Sequence, residues 1–153
     1  MSQAAAAGAE GAEPRDPRLG TTLSDRYRVT RKIGEGGMGL VYEGEHLLIR
    51  RRVAIKMLHT HMSQNPEGVA RFRREAIAAT SIHHPHIIEV LDMGTAPDGA
   101  AYMVLEFLDG RDWSHEIEAT GPQPLGHGVK VMREICDGLQ AAHDAGIVHR
   151  DLK

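Results

Sequence analysis

Between two stretches of strand-forming residues lies Ile33-Gly34-Glu35-Gly36-Gly37-Met38-Gly39-Leu40-Val41, and this glycine run constrains the fold more tightly than any other part of the sequence. Glycines spaced in this way let backbone N–H groups approach a partner closely, a property that phosphate-binding loops share. The element after the glycines separates those loops from one another. In the Rossmann turn the glycines lead into a helix, and an acidic residue about 20 positions later holds a ribose. Here Leu40-Val41-Tyr42-Glu43 has strand character, and the stretch at that later distance is a strand bearing Arg and Lys. A Walker A loop is excluded because no Gly-Lys-Ser/Thr stands after the run. The remaining arrangement is a Gly-rich hairpin within an antiparallel meander. Its first strand carries Tyr27, Val29 and Ile33, its second starts at Leu40, and its third is Arg52-Val53-Ala54-Ile55-Lys56-Met57.

Helical signals come next. Asn65-Pro66-Glu67 has the form of a helix start, with an Asn cap, Pro at the first position and an acid in the first turn. Val69, Phe72, Ala76 and Ala79 then recur at helical spacing between Gly68 and Thr80. Two further strands are predicted over Ile87–Met93 and Tyr102–Phe107, joined by a turn at Pro97-Asp98-Gly99. Beyond Gly110 the pattern is helical. Trp113 and Ile117 mark a short helix, while Val131, Met132, Ile135, Leu139 and Ala142 form the stripe of a longer one that ends near Gly146. Residues 1–25 are rich in Ala, Gly and Pro, offer little to bury, and read as a disordered tail.

Composition excludes several classes. A 25% charged and 41% apolar content is that of an ordinary soluble domain. A net charge of -3 argues against a nucleic-acid-binding surface, although Arg50, Arg51 and Arg52 still need a reason. Arg71, Arg73 and Arg74 read as a solvated helix face. The single cysteine, Cys136, cannot form an internal disulfide, sits on the inward stripe as a packing residue, and fits a reducing cytoplasm. No apolar run approaches the roughly 18 to 20 residues of a membrane span, so no membrane contact is expected from this segment.

Lys56 closes the third strand, where a lone surface lysine would be the ordinary reading. Glu75 changes that. Counted from Phe72 and Ala79 it projects from the apolar side of its helix, and a buried carboxylate without a partner costs several kcal/mol. Lys56 is the natural partner, either as a plain structural ion pair or as a lysine held in place to meet phosphates.

Near the end of the sequence stands Ile147-Val148-His149-Arg150-Asp151-Leu152-Lys153. Glycine loop, strand lysine with helix glutamate, and HRDLK in this order are far more specific than any one of them. From Tyr27 to Lys153 the chain resembles the eukaryotic-like (Hanks-type) protein kinases, and the wording GEGGMGLVY is similar to their bacterial Ser/Thr members. The resemblance implies an α+β, protein-kinase-like fold: a five-stranded antiparallel N-lobe with one helix over residues 26–109, and the first helices of an incomplete helical C-lobe over 110–153. It implies ATP and Mg2+ as cofactors and a protein substrate with a Ser or Thr hydroxyl. Ile33, Gly34, Glu35, Gly36, Gly37, Met38, Gly39, Leu40 and Val41 would line the nucleotide together with Ala54 and Lys56. Leu105 would be the gatekeeper behind adenine, and the backbone of Glu106 and Leu108 the hinge. Asp151 would take the substrate hydroxyl proton, and Lys153 is the residue typical of Ser/Thr-directed members.

The family also places an Asn about five residues past the base, then a DFG motif whose Asp holds the metal ions, then an APE segment. All would fall beyond Lys153, so the chain alone is expected to be an inactive fragment with no metal ligands of its own. The competing reading is a truncated, non-catalytic module that binds nucleotide or pairs with another kinase. His83, His84 and His86, with His59 and His61, have the look of a metal cluster. No cysteine joins them, and His84-Pro85-His86-Ile87 is similar to the His-Pro-Asn-Ile that this family often carries, so they are read as loop histidines.

Overall fold

The computed structural model describes residues 16–150 and residue 152. The elements in chain order are β1 (Thr22–Leu23), β2 (Tyr27–Gly36), β3 (Gly39–His46), β4 (Arg51–Leu58), α1 (Thr60–Ser63), α2 (Pro66–Thr80), β5 (Val90–Thr95), β6 (Ala101–Glu106), α3 (Trp113–Thr120) and α4 (Leu125–Asp144). The strands form one six-stranded sheet in the order β1-β2-β3-β4-β6-β5, with every neighbouring pair antiparallel. Strand β4 pairs with β6 rather than β5, so the excursion through α2 returns the chain at the far edge and the β5–β6 hairpin closes inward.

Alternation along β4 builds a core on each side of the sheet. Val53, Ile55 and Met57 join Leu23, Tyr27, Val29, Tyr42, Tyr102 and Val104 on one face. Leu58 on the other face meets Phe72 and Ala76 of α2, with Ala101 and Met103 of β6. Helix α2 begins as its sequence dictates: the Asn65 side chain accepts from Glu67 N–H at 3.0 Å, with Pro66 at the first position.

Four expectations are corrected. Within the expected tail, residues 16–25 are built into the sheet, giving six strands rather than five, whereas residues 1–15 lie outside those described. Leu23 is 1% exposed and seats the segment in the core. The Arg18 guanidinium donates to Asp98 at 2.8 Å and to Thr60 Oγ1 at 3.2 Å, while Tyr42 donates its hydroxyl proton to Asp16 at 2.6 Å. One leucine and two charges anchor this strap, which is why low apolar content concealed it. Second, one turn of helix, α1, precedes α2. Third, the penultimate strand is Val90–Thr95 rather than Ile87–Met93, because the backbone is still turning at Ile87, whose N–H donates to His84 O at 3.0 Å. Fourth, Cys136 is exposed rather than packed, and Gly138 is the residue that α4 buries.

The strap makes an alkaline prediction. Burial and the hydrogen bond to Asp16 push the Tyr42 hydroxyl up to about 12. A raised tyrosine favours the neutral form in the folded state, so its contribution is fully present below the ordinary tyrosine value of about 10 and is lost as pH rises through about 12. Tyrosinate absorbance should show one tyrosine ionising last, together with loss of structure, and Tyr42→Phe should remove that step.

Candidate active site

Directly opposed residues in an antiparallel sheet share a face. Val41 opposes Lys56, and Ala54 opposes Leu105, so these four side chains lie on the α2 side of the sheet. Lys56 Nζ reaches Glu75 Oε1 at 2.5 Å, linking β4 to α2. The ammonium also stands 6.0 Å from the centroid of the Phe72 ring.

Glu75 itself departs from expectation. Its side chain is 47% exposed, on the flank of α2 rather than its buried face, so desolvation does not force the pair. Gly68, Phe72 and Ala76 are the residues that α2 buries. A half-exposed ion pair contributes about 0–1 kcal/mol to stability. Its consequence is positional: the ammonium of β4 is tethered to α2.

The glycine turn joins β2 to β3, with Gly36 opposing Gly39. Only Gly39 is required by the protein's own packing, since a Cβ there would lie 1.9 Å from Met57 O on β4. A Cβ on Gly36 or Gly37 would meet nothing within 4 Å. The turn is therefore open at 36 and 37 to approach from outside, as a phosphate would need. Gly39→Ala should cost about 1–3 kcal/mol by overpacking in a urea titration. Gly37→Ala should stay within about 0.5 kcal/mol and register instead in nucleotide affinity.

Other expected site residues divide. Ile33 sits in the register shift between Lys32 and Gly34, 40% exposed. Met38 turns inward against the α2-side core, and Leu40 packs on the opposite face of the sheet from Val41. Glu35 pairs with Lys32 at 2.6 Å, and that hydrogen bond and charge hold its carboxyl below the usual range. The Glu106 N–H donates to Glu89 O at 3.0 Å, so any contribution of Glu106 to a ligand falls to its carbonyl. The Leu108 N–H and C=O have no hydrogen-bond partner among the described residues. Free peptide groups two residues past the end of β6 suit the edge of a planar base. Asp151 and Lys153 lie outside the described residues.

Sequence reasoning missed what holds this frame. Arg52 stacks its guanidinium 3.9 Å from the Phe107 ring centroid and donates to Asp109 at 2.8 Å, fixing the segment that follows β6. That answers for one arginine of the Arg50-Arg51-Arg52 run; Arg50 pairs with Glu45 at 3.2 Å. His59, grouped with the other histidines by composition, instead contacts the glycine turn. Among the described residues no group of three or more His, Cys, Asp or Glu could hold a metal ion, and no helix is long and apolar enough to cross a membrane.

A glycine hairpin in the same sheet as a strand lysine that a helix glutamate tethers is the arrangement of the protein-kinase class of fold. The family described as "Protein kinase domain" matches residues 27–153, and the chain belongs to it. It is 45% identical over 141 residues to serine/threonine-protein kinase Pkn1 of Myxococcus xanthus, covering 92% of this chain and 20% of that protein. It is 40% identical over 141 residues to PknA of Mycobacterium tuberculosis, covering 90% of this chain and 33% of that one. Among solved structures, the Mycobacterium tuberculosis PknI kinase domain superposes with a TM-score of 0.73 at 32% identity, covering 88% of this chain and 53% of that chain. The chain thus spans a third or less of the length of these curated relatives and about half of the solved kinase domain. The α+β kinase-like fold expected from the motifs stands, as an N-lobe sheet with partial C-lobe helices.

Proposed function

We propose that this chain is the ATP-binding portion of a serine/threonine protein kinase, which moves the γ-phosphate of ATP onto a protein hydroxyl. The single observation that carries the reading is the Lys56–Glu75 contact of 2.5 Å beside a glycine turn whose open positions the protein does not itself need. Bound ATP supplies the phosphoryl group. Val41, Ala54 and Leu105 form the apolar wall for its base, and the free peptide groups of Leu108 give the base edge hydrogen bonds. Lys56, held by Glu75, neutralises phosphate charge, and the glycine turn lets backbone N–H groups close over the phosphates. Asp151 accepts the proton of the attacking hydroxyl, and Lys153 marks the Ser/Thr class. Residues 26–109 form the nucleotide-binding lobe, and 110–153 begin the helical one.

Among the described residues no group of three or more His, Cys, Asp or Glu could hold Mg2+. Neither a DFG motif nor the metal-binding Asn occurs within the 153 residues. The chain Met1–Lys153 by itself should therefore show negligible phosphotransfer to a generic protein substrate. A chimera completing it in frame with the subsequent kinase residues of Pkn1 should phosphorylate serine or threonine, and Asp151→Asn should abolish this. Robust transfer by Met1–Lys153 alone, or phosphotyrosine as the main product of the chimera, would contradict the reading.

A further inference from the structure

We propose that His59 is a positioning residue that latches the glycine turn to β4 and aims the Gly37 N–H at the phosphate chain of a bound nucleoside di- or triphosphate. The inference rests on the nucleotide reading of the site and adds to it a residue that contributes to phosphate recognition from outside the glycine run.

His59 comes directly after β4, three positions beyond Lys56, and it holds the turn twice. Its backbone N–H donates to Met38 O at 3.2 Å, and its Nε2 lies 3.2 Å from Gly36 O. A carbonyl can only accept, so Nε2 carries the proton in this contact. The two bonded carbonyls flank Gly37, and so the tip of the hairpin cannot swing without breaking one of them. Peptide planarity sets the consequence: in a trans peptide the Gly37 N–H points opposite to the Gly36 carbonyl. Tying that carbonyl to His59 therefore turns the N–H away from β4. Nothing in the protein lies within 4 Å of a Cβ on Gly36 or Gly37, so a ligand can approach the turn.

The ring is itself held in orientation. His61 of α1 stacks on it with centroids 5.4 Å apart and planes 15° apart. The Glu35 carboxylate, next to Gly36 and a competing acceptor for the Nε2 proton, is engaged by Lys32 at 2.6 Å. This role differs from both a metal ligand and a passive loop histidine. Truncating the side chain spares the His59 N–H to Met38 bond but removes both the Nε2 contact and the stacking on His61, so a variant that restores only a donor separates the two.

The test uses the chain Met1–Lys153 with His59→Ala and His59→Gln, the glutamine amide offering a replacement donor. Without nucleotide, backbone order parameters at Gly37 and Met38 should fall from about 0.8 in the wild type to below about 0.6 in His59→Ala, and recover in His59→Gln. With ADP as probe, His59→Ala should weaken affinity about five- to tenfold, the loss of one hydrogen bond, while adenosine binding changes less than about twofold. His59→Gln should restore ADP affinity. Unchanged order parameters in His59→Ala overturn the latch, and an equal loss for ADP and adenosine overturns its action on phosphate. A wild-type chain that binds neither probe contradicts the nucleotide reading itself, and the inference with it.

Discussion

In the chimera completed with the Pkn1 kinase residues, Lys56→Met should lower turnover by about a hundredfold to a thousandfold while leaving ATP affinity within about tenfold. The geometry makes that split. Lys56 Nζ stands 2.5 Å from Glu75, where the phosphates are expected, whereas the base is expected against Ala54, Leu105 and the free peptide groups of Leu108. Removing the ammonium strips charge from the phosphates and leaves the base contacts alone. Stability should change by less than about 1 kcal/mol, because the pair is partly exposed and such pairs contribute little. Glu75→Gln should reproduce the loss of turnover more weakly, since the lysine stays but loses its charged tether. Steady-state kinetics with a urea titration check all three readouts. A Lys56→Met protein with near-normal turnover shows that the lysine is structural, and one that fails to fold shows that the ion pair holds the lobe together.

The second large effect concerns α4. Leu125 is 84% exposed, Met132 61% and Val129 59%, and the helix buries only Gly138, which lies against His86. Each such side chain left in water forgoes about 1.5–3 kcal/mol of burial. Several of them together match the whole stability of a small domain. The isolated chain Met1–Lys153 should therefore protect amides in β2, β3 and β4 strongly and those of α4 hardly at all, and should self-associate through that stripe. Hydrogen exchange monitored by mass spectrometry reads this directly. Protection of Leu125–Asp144 comparable to β4 in a monomeric sample would mean that the helix packs on its own chain and would favour an autonomous binding module.

The range of each interaction decided whether the sequence revealed it or hid it. The hairpin at Gly36–Gly39, the Asn65 cap of α2 and the pairing of Lys56 with Glu75 were legible because each has a local signature: strand residues after glycines, a cap with Pro behind it, a periodic helix beside a strand lysine. The strap at residues 16–25 was not, since it is fixed by Arg18 reaching Asp98 and Thr60, and Tyr42 reaching Asp16, contacts that no local pattern announces. Exposure of Glu75 was misjudged because counting residues on a wheel finds the apolar arc but not how far the sheet extends beneath it. Met38 and Leu40 were expected with Val41 because the family resemblance runs through the whole glycine segment, although pleating sends Leu40 to the opposite face. His59 had no signature to find, because its partners are backbone carbonyls of the turn rather than side chains.

The most direct test of the nucleotide site is chemical labelling of the chain Met1–Lys153 with an acyl-phosphate derivative of ATP, which acylates an amine lying against its phosphates. Peptide mapping should find the label on Lys56, suppressed by excess ATP and lost from Val41→Arg, where a bulky cation replaces the side chain that opposes the lysine in the sheet. Label spread over Lys32, Lys130 and Lys153 without preference for Lys56, or label on Lys56 that excess ATP does not suppress, would contradict the account.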